Sequence, residues 1–236
     1  VNLSVAAPLI MKEYHWDTVQ MGWVLSGFFM GYTIFMIPAG RLVDHFGPKR
    51  VFAAGVAWWS IFTALTPLSR SMAGLAGMRA IMGAGQSGTI PSINRSLVNW
   101  FPRQEYSRAF GFCYSGGFAG PILAFPLASA LLHAFGWRSV FFIFAVLGWL
   151  WLPFWLKGVS DKPENCASID QSELNHILSA RPSLPAVEKV PWLKLFQLRP
   201  FWAVLMLHFS ANWFLYVIVS WLPSYLMMER HFSLAN

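Results

Sequence analysis

Apolar runs of helix length alternate with short polar breaks along most of the chain. Met21–Ala39, Val51–Leu68, Met72–Ile93, Ala109–Leu132, Val140–Leu156 and Phe201–Leu222 are the main runs. At 1.5 Å per residue each comes close to crossing, or crosses, a hydrocarbon core about 30 Å thick. Val1–Met11 is apolar but shorter, and reads as the second half of a spanning helix whose beginning is missing. The breaks are Lys12–Asp17, Gly40–Arg50 (a tight turn rich in Gly, Pro and charge), Ser69–Ser71 and Asn94–Arg108. Lys157–Pro200 is charged and contains Ser and Pro, with Ile169–Leu178 as a short amphipathic helix inside a connecting loop. Pro223 is expected to close the last crossing. The pattern predicts an all-α multi-pass membrane protein in three parts: a transmembrane bundle over 1–157, a central loop over 158–200, and a further crossing over 201–236.

Composition agrees with the pattern. Of 236 residues, 56% are hydrophobic and 11% charged, too apolar and too sparsely charged for a water-soluble domain. The net charge of +7 does not point to nucleic acid, because the basic residues sit in short loops between apolar runs. Arg41, Lys49, Arg50, Arg95, Arg103, Arg108, Lys157, Lys162, Arg181, Lys189, Lys194 and Arg199 fall on one side of the membrane; Lys12, Arg70, Arg138 and Arg230 fall on the other. The positive-inside rule makes the first side cytoplasmic. Cys113 lies in an apolar run and Cys166 in a polar loop, so neither a disulfide framework nor metal-ligand spacing is present.

One residue breaks the pattern. Arg79 is the only Lys, Arg, Asp or Glu in Met72–Ile93. An unpaired cation at that depth costs roughly 3 to more than 10 kcal/mol, so it should face a bundle interior or a wet cavity. Gly83 and Gln86 follow at i+4 and i+7, on the same helix face, with Gln86 about 10 Å along the axis. That face would offer a cation, bare backbone and an amide to a cavity. A helix-bracing arginine is the competing reading, and Gln86 and Asn212 serve equally well as interhelical hydrogen-bond formers. All ten acids fall in loops or at helix ends, which leaves His208 as the one intramembrane group that titrates near neutral pH. A neutral, carbonyl-bonded histidine is the plainer account of it.

Several stretches resemble the major facilitator superfamily, whose members have two six-helix halves. G-R-L-V-D-H-F-G-P-K-R fits its pattern between the second and third helices, with Gly40, Leu42, Asp44, Gly47, Lys49 and Arg50 in place. Arg79-x-x-x-Gly83-x-Gly85 matches its fourth-helix motif. Within it, N-L-S-V-A-A-P at 2–8, G-Y-x-x-x-x-I-P-x-G at 31–40, W-F-P-R-Q-E at 100–105 and N-W-x-x-Y-x-x-x-x-W-L-P-x-Y-L at 212–226 resemble the anion:cation symporter family. That family includes hexuronate, galactonate and glucarate carriers and vesicular glutamate and phosphate carriers.

The resemblance implies a six-helix bundle with an incomplete first helix, followed by the seventh helix. It makes Arg79 the substrate-carboxylate ligand and places Tyr32, Asn212 and Trp213, with Gln86, around the substrate. Gly40, Asp44, Gly47, Lys49 and Arg50 become the cytoplasmic gating loop. Three departures stand out: Gln86 replaces the family's usual proton-coupling acid, the bacterial Asp-Arg expected before Asn2 is not visible, and Ala211 stands where vesicular glutamate carriers have an arginine. The expected function is secondary transport of small organic anions, with sugar acids such as hexuronates or aldonates first in line. Inorganic phosphate, another organic acid with non-proton coupling, or a sensor that binds without moving its ligand are the alternatives. No cofactor is expected beyond H⁺ or Na⁺ as coupling ion, and no enzymatic set of residues stands along the spans. The expected setting is a monomer in lipid, in a bacterial inner membrane, without nucleic acid.

Overall fold

The computed structural model describes residues 2–180 and 192–230. Arg181 and Lys189, two of the cations counted on the cytoplasmic side, lie outside the described residues, as does 181–191 of the central loop. Ten α-helices are described: α1 (Asn2–Tyr14), α2 (Thr18–Phe46), α3 (Pro48–Leu65), α4 (Met72–Gln86), α5 (Thr89–Trp100), α6 (Tyr106–Phe135), α7 (Trp137–Gly158), α8 (Gln171–Ala180), α9 (Trp192–Leu195) and α10 (Arg199–Met228). α2, α6, α7, α10 and α3 with its following 3₁₀ turn are long and apolar enough to cross a membrane. Among the described residues there is no β-strand, as the helical periodicity requires.

Polar residues start the helices at the membrane edge. Asp17 caps α2 by accepting from the Gln20 backbone N–H at 2.7 Å, while the Asp17 N–H donates to Gln20 Oε1 at 3.0 Å. Ser71 Oγ accepts from the Gly74 N–H at the start of α4. The core lies where α1, α2, α4, α6 and α7 converge, around Leu3, Ile10, Met21, Leu75, Ala128 and Phe141. α2 and α4 touch backbone to backbone. A Cβ on Gly31 would lie 1.9 Å from the Ala80 carbonyl oxygen, and one on Gly83 would lie 2.1 Å from that of Phe28. Gly83 is therefore consumed by helix packing rather than left as open backbone facing a cavity.

Four sequence expectations change. The Met72–Ile93 crossing is two helices broken at Ser87–Gly88. Pro91 is the cause, since a continuous helix would drive its ring into the carbonyl of Ser87 and lose a backbone hydrogen bond. The polar break Asn94–Arg108 is largely helical, with α5 running to Trp100 and α6 starting at Tyr106. Gly40–Arg50 is no loop either. α2 continues to Phe46 and α3 starts at Pro48, so the turn is the single residue Gly47 at φ +85°, a conformation open to glycine. Pro223 does not end α10, which continues to Met228. Membrane helices carry internal prolines because neighbouring groups re-satisfy the freed carbonyls.

The breaks gather at two ends. At the basic end, the α2–α3 turn meets the segment after α7: the Lys49 N–H donates to Asp161 Oδ1 at 2.8 Å, Asn99 Nδ2 to the Asp161 carbonyl at 2.8 Å, and Trp100 Nε1 to the Ser160 carbonyl at 2.8 Å. Trp155 Nε1 donates to the Lys49 carbonyl at 3.1 Å, and the Arg103 N–H to that of Ala180 at 3.2 Å. At the opposite end Glu13 of α1 takes Trp137 Nε1 at 2.7 Å and both amino groups of Arg138 of α7. The Arg138 guanidinium hydrogen-bonded to Glu13, helped by the Trp137 N–H, holds that carboxyl below the usual carboxylate range.

Candidate functional site

Arg79 sits at mid-helix in α4, half-buried, against α2. Its guanidinium carbon lies 4.9 Å from the centre of the Phe28 ring, and its NH1 reaches Met82 Sδ at 3.9 Å. Met82 is itself fixed from α3, where Thr63 Oγ1 donates to its sulfur at 3.3 Å. The Arg79 Nε is buried without a hydrogen-bond partner. Among the described residues no carboxylate comes within ion-pair distance of Arg79. A cation is thus oriented by an aromatic face and a thioether, with at least one donor left unmet. Such a donor set is what a carboxylate or phosphate oxygen would satisfy.

Tyr32 lies one turn along α2 from Phe28, and their rings stack at 5.8 Å with 27° between planes. Phe28 therefore joins Tyr32 and Arg79 into one cluster spanning α2 and α4. Gln86 is half-buried at the last position of α4. The seventh-helix residues stand apart. Asn212 Nδ2 donates to the His208 carbonyl of its own helix at 2.8 Å, and Trp213 is 64% exposed and stacked on Phe209. α10 meets α2 at the Phe29–Tyr216 ring contact of 4.7 Å. Among the described residues no group of three His, Cys, Asp or Glu side chains could hold a metal.

The residues expected to gate lie at the basic end. Asp44 Oδ1 lies 3.8 Å from Arg95 NH1, both well exposed. Gly47 supplies the turn, and a Cβ there would come 2.8 Å from the Asp161 carboxylate. Lys49 contributes its backbone to Asp161 and Trp155, Arg50 is exposed, and Gly40 has open space where a side chain would be.

Sequence reasoning missed Phe28, Met82, Arg95 and Asp161. Phe28 carried a signal, since it precedes Tyr32 by four residues and so shares its helix face. Met82 stands three residues after Arg79, a spacing that also places two side chains side by side. Asp161 gave none, because its partner Lys49 is 112 residues away.

A profile of the Major Facilitator Superfamily matches residues 1–236. The chain is 35% identical over 236 residues to "Sodium-dependent phosphate transport protein 1, chloroplastic" of Arabidopsis thaliana, covering 99% of this chain and 46% of the relative. It is 34% identical to "Ascorbate transporter, chloroplastic" of the same plant over 100% of this chain and 45% of the relative. It is also 32% identical to "Sialin" of Homo sapiens over 94% of this chain and 46% of the relative. The chain spans about half the length of these relatives. The first two are transporters by name, and five helices long and apolar enough to cross a membrane make this chain a multi-pass membrane protein. The plant and animal relatives do not single out a bacterial membrane. With a profile match over residues 1–236, the chain belongs to the Major Facilitator Superfamily, among relatives that include ones named for phosphate, ascorbate and anion transport.

Proposed function

We propose that this chain supplies one half of a secondary carrier for small organic anions, with Arg79 as the carboxylate ligand. The observation that carries the proposal is the buried, partnerless Nε of Arg79 beside an aromatic-backed cluster. A buried charge that lacks a protein counter-ion has a partner of its own only when an anion arrives. Tyr32 borders the same cluster and is assigned a role beside the substrate. Gln86, Asn212 and Trp213 are assigned to the cavity wall on their family positions, Asn212 turning from its His208 carbonyl to reach the ligand. Access alternates as the two halves rock, and the Asp44–Arg95 pair opens and closes with the Gly40–Arg50 region, helped by Gly47, Lys49 and Arg50.

Sugar acids, hexuronates or aldonates, are the proposed substrates. A relative named for sodium-dependent phosphate transport supports a second reading, in which a phosphate takes the Arg79 position and Na⁺ drives transport. Among the described residues no carboxylate lies deep in a spanning helix, so H⁺ coupling through this chain would fall to His208. The bacterial inner membrane is the proposed site, on the resemblance to hexuronate and galactonate carriers; the plastid-named relatives make a plastid envelope its competitor.

Counterflow in liposomes made with the complete two-half carrier tests the proposal. Labelled hexuronate, aldonate, ascorbate and phosphate are each offered with and without Na⁺ and H⁺ gradients. Arg79→Lys is expected to lower uptake roughly tenfold to a hundredfold, the weight of one or two charge-assisted hydrogen bonds. Wild-type uptake in that variant removes Arg79 from the site. Binding without counterflow would make the protein a sensor.

A further inference from the structure

A groove of about 730 Å³ runs along the side of the bundle where α2, α3 and α4 meet, away from the Arg79 cluster. Trp23, Met30 and Ile34 of α2 form one wall, Ile81 of α4 and Trp58 of α3 another, and Gly77 lies on the floor. From these we infer that the groove is a seat for one acyl tail of a phospholipid in the leaflet facing away from the basic end.

Four observations select that occupant. The wall is almost all carbon: its side chains carry two indole N–H groups, of Trp23 and Trp58, and Trp58 Nε1 is turned into the protein and donates to the Ile81 carbonyl at 2.9 Å. Water gains nothing from such a groove, and a polar peptide could not satisfy its backbone there. The groove also faces away from α10. At 100° per residue, Trp23, Met30 and Ile34 share a stripe centred about 110° around the helix from Phe29 and Gly22. Those two are the positions where Tyr216 and Trp221 of α10 approach α2. The side that α10 takes is therefore a different one, which leaves this stripe clear of α10.

Length gives the third argument. The lining of α4 runs from Met72 to Ala84, about 18 Å of helix, against about 15 Å for half of a hydrocarbon core. Because Met72 follows the Ser69–Ser71 break, the groove starts at the membrane edge opposite the basic end and stops near mid-membrane. One leaflet's tail matches that span. Finally, Gly77 has nothing within 4 Å of where a Cβ would stand, in contrast to Gly27 and Gly31, whose Cβ atoms would strike α4. The groove is therefore open at 77 to a chain from outside the protein.

The test uses the full-length carrier purified in mild detergent. Native mass spectrometry of the wild type is expected to show one retained phospholipid per protein. Gly77→Leu projects a side chain into the groove from a position where a Cβ meets no protein atom within 4 Å, and should reduce that retention at least tenfold. Gly111→Leu on α6, where a Cβ also meets nothing, should leave it unchanged. Equal retention in Gly77→Leu and wild type overturns the inference. As a measurement free of any variant, a phospholipid with a photoactivatable tail is expected to label 23–35 and 77–84 above the exposed faces of α6 and α10. Uniform labelling of all exposed faces overturns it, and so does a Gly77→Cys disulfide to a second copy in native membranes, which would make the groove a protein interface.

Discussion

The charged residues at the two ends of the bundle and the one in its middle are treated in opposite ways. Asp161 caps α3 through the Lys49 N–H, and Glu13 accepts from Trp137 and Arg138. Arg79 has an aromatic face, a sulfur and an unmet donor. At the ends, water competes for every pair, and the protein still supplies partners from elements far apart in sequence. In the middle, where an unmet donor costs most, no carboxylate among the described residues pairs with Arg79 and its Nε stays unmet. Charges at the ends are tied into the fold, and the charge in the middle is the one that the proposed function gives to a ligand.

Neutralising each region should therefore separate stability from transport. The largest effect is expected from Arg79→Met, which removes the unpaired charge at similar length. Uptake by the complete carrier should fall a hundredfold or more, while the Tm of the empty protein stays level or rises. A large drop in Tm with transport retained would reverse the comparison. Next comes Asp161→Ala, which strips the α3 cap and should cost about 1 kcal/mol, read as a lower Tm with substrate affinity unchanged. Asp161→Asn keeps an acceptor and should recover most of that loss.

The Glu13 clasp predicts a pH effect of fixed sign. Arg138 lowers the Glu13 pKa in the folded protein, so the clasp stabilises fully above the ordinary carboxylate value of 4.5 and loses its contribution as pH falls through the lowered one. Melting curves taken downward from pH 6 should show a steeper decline in wild type than in Glu13→Gln, and parallel curves would refute the clasp. The smallest effect on stability is expected at Asp44→Asn. Its pair with Arg95 is long, at 3.8 Å, and solvent-exposed, so unfolding should shift by less than about 0.5 kcal/mol. A gating role for Asp44 requires that transport nonetheless slows.

How much of this was legible beforehand follows from the range of each interaction. The spans α2, α3, α6, α7 and α10 were readable because a bilayer demands long apolar runs whatever packs beside them. Their ends were misplaced by a few residues wherever charged residues stayed helical in water, as Arg41, Asp44 and His45 do at the end of α2. The break at Ser87–Gly88 was written in Pro91 but hidden by the apolar residues on both sides. Arg79 and Tyr32 were found as site candidates, while Phe28, which joins them, was passed over as one more aromatic residue in an apolar run.

Sequence alone determined the class of fold and the isolation of one arginine within an apolar segment, because each follows from solvent preference along the chain. Only the tertiary structure decided which partners the charges obtain. Asp161 finding Lys49, Glu13 finding Arg138, Gly31 and Gly83 being spent on backbone contact and Arg79 being left over all depend on where distant helices come to rest. A hydrogen bond or a van der Waals contact acts over a few ångströms of space, and separation along the chain does not determine that distance.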